Sequence, residues 1–327
     1  MNIVFMGTPD FAVPSLQTLL REGYNVVGVV TQPDRPKGRK RELAPTPVKA
    51  EALQHGIPVL QPLKLRTPAA VAELAALQPD LIVTAAYGQI LPKSVLALPR
   101  HGCINVHASL LPKYRGGAPI HHAVMNGETV TGVTIMYMAE GLDTGDMISR
   151  VELPITPDDT TGSLFEKLSL EGAELLKRTL PALLAGELQA EPQRNEDATY
   201  ASNISREDEQ IRWERPALEL FNQIRGLNPF PGAFTTYDGA NFKVWASLRP
   251  GQSEPRQAAD EGVEPGTVLR MTDAGIEVQT GAGTLRLTRV QPAGKKAMDV
   301  SELRRGMTIP PGAVFGGSLD GAEGASE

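Results

Sequence analysis

Short unbroken apolar runs alternate with stretches of helical spacing through residues 1–187. IVFM is followed by Val13, Leu16, Leu19 and Leu20, which recur at the three- and four-residue intervals of one helix face. VVGVV, a second helical stretch, PVLQ and an Ala/Leu-rich run from Ala69 to Leu77 come next, then LIVTA, CINVH and VTIMYM. Apolar strands separated by helices predict a largely parallel sheet covered on both faces, a doubly wound, Rossmann-like α/β domain. The closing helix is expected to start at a capping box of Ser163 and Glu166, to bury Leu164, Phe165, Leu168, Leu175 and Leu176, and to end or kink at Pro181.

The pattern then changes. Residues 188–206 are polar and aperiodic, as a linker would be. A short helix around Pro216 to Arg225 precedes AFTTYDGANFKVW, where Asp238-Gly239 between β-rich runs is a strong hairpin signal. TVLRM, GIEVQ and TLRLTRV, spaced by Asp-Ala-Gly and Gly-Ala-Gly turns, predict a smaller antiparallel β-barrel of OB-like kind. The expected organisation is thus an α/β domain over 1–187, a linker over 188–206, a barrel over 207–314 and a disordered tail over 315–327. Phe221, Phe230 and Phe234 in FNQIRGLNPFPGAF read as core and turn residues.

A length of 327 residues suits two domains, and 41% hydrophobic with 21% charged residues is an ordinary globular composition. The N-terminus has no basic n-region, and its apolar run breaks at Gly7, so a first buried strand is expected rather than a signal peptide or membrane span. The single cysteine, Cys103, has no intramolecular partner, and the five histidines form no HExxH pattern, so a metal-free protein of the reducing cytoplasm is expected. Gly7 opens a strand-to-helix turn without GxGxxG, and no dinucleotide is assigned to it. A net charge of -6 argues against coating nucleic acid broadly and leaves room for a local basic patch.

Candidate chemistry lies at CINVH. On a strand Asn105 and His107 share a face about 6.6 Å apart, at the carboxyl end, where open α/β sheets bind ligands. Cys103 shares that face but lies about 13 Å along it from His107, too far for a nucleophilic pair. The prolines and glycines of SLLPKYRGGAP impose a defined loop, and EGLDTGD places Asp143 in a turn between two further strands. An amide, an imidazole and a carboxylate without a serine or thiol nucleophile suit direct acyl transfer to an amine. Asn105 and a His107 kept charged by Asp143 donate to a developing oxyanion, and the carboxylate helps remove the amine's proton. Any one of the three alone is better read as a cap, a buried histidine or a loop acid; the ordered set with its loop is not.

NVHASLLPKYRGGAP, followed at the right distance by GLDTGD, resembles the signature of the folate-dependent formyltransferases. The resemblance implies Asn105, His107 and Asp143 as the catalytic trio, 10-formyltetrahydrofolate as formyl donor, and folate contacts from Ser109, Leu110, Leu111 and Pro112. It extends over the chain to about Pro311. Family members formylate a purine precursor, a sugar-nucleotide amine or methionyl initiator tRNA; the purine enzymes are single-domain and shorter, which leaves the other two acceptors.

Arg35, Lys37, Arg39, Lys40 and Arg41 fall within seven residues on a βα connection, where Gly38 and the flanking prolines are expected to hold the chain away from regular structure. A charge run alone is usually a solvated face. This one resembles the basic loop of methionyl-tRNA formyltransferases, with Arg39 in the place of that family's principal tRNA-contacting arginine and Glu42 where a basic residue is common. The resemblance implies initiator methionyl-tRNA as partner, a catalytic domain over 1–187 and a tRNA-binding domain over 207–314, with no membrane and no obligate protein partner. Lys243, Arg249, Arg270, Arg286, Arg289, Lys295 and Lys296 on the second domain are compatible with an RNA backbone but are not diagnostic. Two further readings stay open, a sugar-nucleotide formyltransferase and a catalytically inert RNA-binding protein on the same fold.

Overall fold

The computed structural model describes residues 1–37, 42–251 and 262–316. The chain packs as two compact units. The first comprises Met1–Pro119, Val130–Pro154 and Phe165–Ser202; the second comprises Ile120–Thr129, Ile155–Leu164 and Asn203–Glu327.

In the first unit the apolar runs become strands. In chain order the elements are β1 (Asn2–Gly7), α1 (Val13–Arg21), β2 (Asn25–Val30), a short ribbon of β3 (Arg35–Lys37) and β4 (Glu42–Ala44), and α2 (Pro47–Gln54). There follow β5 (Val59–Leu60), α3 (Pro68–Ala76), β6 (Leu81–Ala85), α4 (Lys93–Leu96), β7 (Cys103–His107), α5 (Pro119–Met125), which from Ile120 on belongs to the second unit, β8 (Val130–Tyr137), β9 (Met147–Pro154) and α6 (Thr161–Leu184), whose first four residues also belong to the second unit. Two helices begin on the same dipeptide: the hydroxyls of Thr46 and Thr67 accept from the amides of Lys49 and Ala70, and the following proline fills the first helical position. The sheet order is β5-β2-β1-β6-β7-β8-β9. The strands from β5 to β7 run parallel, β8 runs antiparallel to β7, and β9 runs antiparallel to β8. Ile3 to Met6 are wholly buried, as a strand covered on both faces requires. Because the chain winds outward from β1 through β2 to β5 and returns to β6, the carboxyl ends of β1 and β6 flank a topological switch, with β7 next to it.

Three expectations shift here. Helix α6 is not stopped by Pro181 but runs on to Leu184. Pro181 and Lys177, whose carbonyl loses the missing N–H, are both exposed residues, so the lost bond lies on the solvent side of the helix. The cap is Thr160 rather than Ser163: the Thr160 hydroxyl accepts from the Ser163 amide at 3.2 Å while the Ser163 hydroxyl accepts from the Thr160 amide at 3.1 Å. Residues 188–206 also do more than connect, because Glu191 exchanges both backbone bonds with Met147, and Ala201 is fully buried.

The second unit contains α7 (Arg206–Glu209), α8 (Ala217–Gly226), β10 (Ala233–Tyr237), β11 (Ala240–Ser247), β12 (Val268–Thr272), β13 (Gly275–Gln279), β14 (Thr284–Pro292), β15 (Met298–Asp299) and α9 (Val300–Leu303). Asp238 and Gly239, at φ +50° and +70°, form the two-residue loop of the β10–β11 hairpin. The antiparallel ladder runs β10-β11-β14-β13-β12, with β15 on β14. Residues 312–316 cross the gap between its ends: the Gly312 and Phe315 amides donate to the carbonyls of Val268 and Gly266, and the Gly316 amide donates to that of Thr236. The expected disordered tail over 315–327 therefore begins too early. Phe315 is 2% exposed, stacked on Trp213 at 5.8 Å and packed on Phe242 and Tyr237, because a buried aromatic and two strand edges hold it; residues 317–327 lie outside the described ones.

The unit also takes segments of the first half of the sequence, which bond to α8 and the turn after it. The Thr161 hydroxyl donates to the Gly226 carbonyl at 2.6 Å, and Arg225 Nη1 donates to the carbonyls of Thr156 and Asp159, each at 3.0 Å. Phe221 and Phe234 are buried as expected, whereas Phe230 is 77% exposed. Its backbone explains the difference: the Phe230 carbonyl is tied to His121 Nε2 at 3.2 Å in a turn with prolines on both sides, so the ring projects outward.

Candidate active site

Strand β7 enters the sheet between β6 and β8 and delivers Asn105 half-buried and His107 buried at its carboxyl end. The Thr84 hydroxyl on β6 donates to Asn105 Oδ1 at 2.8 Å. The carbonyl end of the amide is thereby fixed, and its N–H groups are left without a partner among the described residues. Thr84 was not anticipated. It sits directly opposite Asn105 in the β6–β7 register, so strand pairing is the signal that finds it.

His107 Nε2 lies 3.1 Å from the Tyr114 carbonyl. A carbonyl only accepts, so Nε2 carries the proton and donates, and Nδ1 is the nitrogen whose protonation is free to change. Nδ1 faces Asp143 Oδ2 at 3.7 Å, an ion-pair distance beyond hydrogen-bond length. The same carboxylate oxygen accepts from the Gly116 amide at 2.8 Å. The structure thus brings Asn105, His107 and Asp143 together at one edge of the sheet, with a loop from each of two connections reaching the imidazole. Cys103 stays in the core, where burial pushes its thiol up to about 12 and keeps it protonated.

Loop geometry fixes these contacts. Gly116 is at φ +125°, and a side chain there would strike the Ala201 carbonyl, so only glycine can present this amide to Asp143. Asp143 itself is at φ +51°, an uncommon conformation for a residue with a side chain. Of the expected folate contacts, the Ser109 hydroxyl donates to the Lys113 carbonyl at 2.7 Å, and the Leu111 amide donates to Thr134 Oγ1 at 3.2 Å with its side chain buried. Leu110 and Pro112 remain partly exposed.

Sequence reasoning also missed Arg115, Gln193 and Asn195. Arg115 is 2% exposed, and its Nε and Nη2 donate to Gln193 Oε1 and Asn195 Oδ1, each at 3.0 Å. Gln193 Nε2 donates in turn to the carbonyls of Asp143 and Gly145, at 2.8 and 2.7 Å.

The basic stretch follows β2 at the same carboxyl edge as β7. Its base is the β3–β4 ribbon, which pairs Arg35 with Ala44 and Lys37 with Glu42, so the prolines do not keep it irregular as expected: Pro36 needs no ladder amide on a two-stranded edge. Arg35 is exposed, while Arg39, Lys40 and Arg41 lie outside the described residues, as does the side chain of Lys37. The root is anchored by Asp34, which takes Lys49 Nζ at 2.6 Å and Gln61 Nε2 at 2.7 Å; those hydrogen bonds, Lys49 first, hold its carboxyl below the usual range. On the second unit most of the noted cations are already engaged. Arg270 and Arg286 share Glu277, Arg289 pairs with Asp299 at 3.0 Å, and Lys243 donates to the Pro231 carbonyl at 2.8 Å.

Comparison with known proteins bears on what this site does. Residues 1–180 match the formyl transferase family, and residues 203–308 match the formyl transferase C-terminal domain. A methionyl-tRNA formyltransferase of Bacillus subtilis (strain 168) is 57% identical over 316 residues, 96% of this chain and 98% of its own. That of Geobacillus thermodenitrificans (strain NG80-2) is 58% identical over 306 residues, 93% and 94% of the two chains. The chain belongs to the methionyl-tRNA formyltransferase family. Solved structures share the family's fold at much lower identity. An N-formyltransferase from Helicobacter canadensis, in complex with folinic acid and dTDP-3-aminofucose, has a TM-score of 0.66 at 19% identity over 90% of this chain and 99% of that one. A methionyl-tRNA formyltransferase from Clostridium thermocellum gives 0.55 at 17% over 77% and 95%. The sugar-nucleotide alternative is therefore carried only by distant fold neighbours.

Proposed function

We propose that the protein transfers the formyl group of 10-formyltetrahydrofolate to the α-amine of methionyl initiator tRNA by direct attack of the amine, with Asn105, His107 and Asp143 as the catalytic groups. As the bond from the amine nitrogen to the formyl carbon forms, the formyl oxygen gains negative charge; the bond from the formyl carbon to N10 of the donor then breaks, and tetrahydrofolate leaves with a proton in place of the one the amine gives up. Asn105, its Oδ1 held by Thr84, presents to that charge amide N–H groups that have no partner among the described residues. His107 is oriented by the Tyr114 carbonyl, so a proton on Nδ1 is the one available to the oxyanion, with Asp143 as the countercharge 3.7 Å away. Asp143 Oδ2 is committed to the Gly116 amide, which leaves Oδ1 to help take the amine's proton. Ser109 and Leu111 brace the loop, while Leu110 and Pro112 offer apolar surface to the flat ring system of the donor.

The observation that carries the chemistry is the pinning of Nε2, which turns the other imidazole nitrogen toward the carboxylate. Support for the acceptor comes from near-full-length identity of 57% and 58% to methionyl-tRNA formyltransferases. Arg35, Lys37, Arg39, Lys40 and Arg41 take the tRNA phosphates, a reading supported by their place in the chain on the connection that follows β2. The test offers the protein 10-formyltetrahydrofolate with charged initiator tRNA, charged elongator tRNA or an amino-sugar nucleotide. Formylated initiator tRNA is the expected product. Formyl transfer to the amino sugar alone would overturn the assignment.

A further inference from the structure

Arg115 is nearly inaccessible to water, yet among the described residues its side-chain partners are the neutral amides of Gln193 and Asn195. Burying a cation against neutral partners is costly, and the expense has to be explained by what the arrangement holds. Gln193 is the joint. Its Oε1 accepts from Arg115, on the loop whose Tyr114 carbonyl orients His107, and its Nε2 donates to the carbonyls of Asp143 and Gly145, on the loop that carries the carboxylate. One side chain therefore ties together the two loops that set the imidazole and the carboxylate 3.7 Å apart.

The rest of the segment reinforces the clamp. Glu191 exchanges both backbone hydrogen bonds with Met147, just past the Asp143 turn. On the other loop, the Arg115 amide donates to the Thr199 carbonyl at 2.9 Å, the Ala201 amide donates to the Arg115 carbonyl at 2.7 Å, and the Tyr114 amide donates to Thr199 Oγ1 at 2.9 Å. Asp143 sits at φ +51°, in the left-handed region that aspartate adopts in turns, and Gln193 Nε2 bonds its carbonyl.

We propose that Gln193, backed by Arg115, is a positioning residue for the formyl-transfer reaction, and that the stretch from Glu191 to Ala201 is part of the catalytic machinery rather than a connection alone. The assignment rests on the roles given above to His107 and Asp143. Gln193→Glu separates positioning from mere support. The variant is isosteric, keeps an acceptor for Arg115 and gives that buried cation a countercharge, but it sets a carboxylate oxygen in place of the amide against the carbonyls of Asp143 and Gly145. Gln193→Met removes both ends of the joint.

In formylation assays with the full chain, 10-formyltetrahydrofolate and charged initiator tRNA, Gln193→Glu should retain the wild-type melting temperature and KM for both substrates. Its kcat should fall by roughly 10²-fold, the scale of a small misplacement of catalytic groups. Gln193→Met should lose at least as much kcat and also melt lower. A Gln193→Glu variant with wild-type kcat, beside an inactive and destabilised Gln193→Met, would overturn the proposal and reduce the segment to support. Wild-type protein that formylates nothing would overturn the proposed reaction itself, and this inference with it.

Discussion

At the end of β7, Asn105 keeps amide donors without a partner among the described residues, and His107 keeps one nitrogen facing a carboxylate, although the other end of each side chain is held by a hydrogen bond. Across the second unit's sheet the reverse holds: Arg270 and Arg286 converge on Glu277, Arg289 takes Asp299 and Arg304 takes Asp273. Polar groups serve both regions but spend their bonding capacity differently. Satisfied pairs specify how strands meet. Capacity left over in a rigid frame is what a reacting molecule can use, because the frame does not reorganise as charge develops. Counting cations along the sequence missed this distinction, since a paired arginine and a free one read alike.

The comparison breaks most severely if the closure of the second unit is removed. Phe315 stacks among Trp213, Tyr237 and Phe242 where residues 312–316 bridge the ladder ends, so Phe315→Ala should cost about 3–5 kcal/mol of that unit's stability. Both tryptophans, Trp213 and Trp245, belong to this unit, and denaturant unfolding followed by their fluorescence reads the effect directly. An unchanged midpoint would return residue 315 to the tail. Next in size, Asn105→Ala should lower turnover by roughly 10² to 10³, about 2.7–4 kcal/mol of transition-state stabilisation, with little change in stability because the side chain is half-exposed. Single-turnover formylation measures it, and near-normal turnover would remove the oxyanion role.

Legibility in the sequence follows the range of each interaction. Asn105 and His107 were readable because a strand has a two-residue period and open α/β sheets bind at carboxyl ends, two rules that need no distant partner. Asp143 was readable from a turn between apolar runs. Arg115 and Gln193 were not, since 78 residues separate them and the polar stretch around Gln193 has no periodicity to mark it. Phe315 was hidden for a different reason: one aromatic beside a Gly- and Ser-rich segment takes on the composition of its neighbours. Pro181 does not end the helix, because the breaking rule concerns one lost amide and both Pro181 and Lys177 lie on its exposed side. The packing of Ile120–Thr129 and Ile155–Leu164 with the second unit likewise depends on contacts to Gly226 and its surroundings that no local pattern announces.

A smaller effect sets the basic stretch against the committed cations of the second unit. Arg39→Ala on the basic stretch should weaken use of the tRNA and lower the slope of log KM against log salt by about one, whereas Arg289→Ala, whose partner is Asp299, should leave that slope unchanged. Equal slopes in all three proteins would return the stretch to a solvated surface loop.

The smallest effect tests the committed pairs themselves. Burial pushes the Glu277 carboxyl upward, but hydrogen bonds from Arg270 and Arg286 and the charges of both outweigh it, and the group sits below its ordinary value of 4.5. A depressed carboxylate stabilises the folded state fully above the ordinary value, and the contribution is lost as pH falls through the lowered one. Water reaches this cluster at Arg270, so the contribution is no more than about 1 kcal/mol and shrinks in salt. Melting curves below pH 5 should therefore show the wild type losing stability more steeply than Glu277→Gln, with the difference vanishing in high salt. If the two proteins instead traced parallel curves at low salt, the arginines would be held by packing of their stems rather than by Glu277, and the paired half of the comparison would fail.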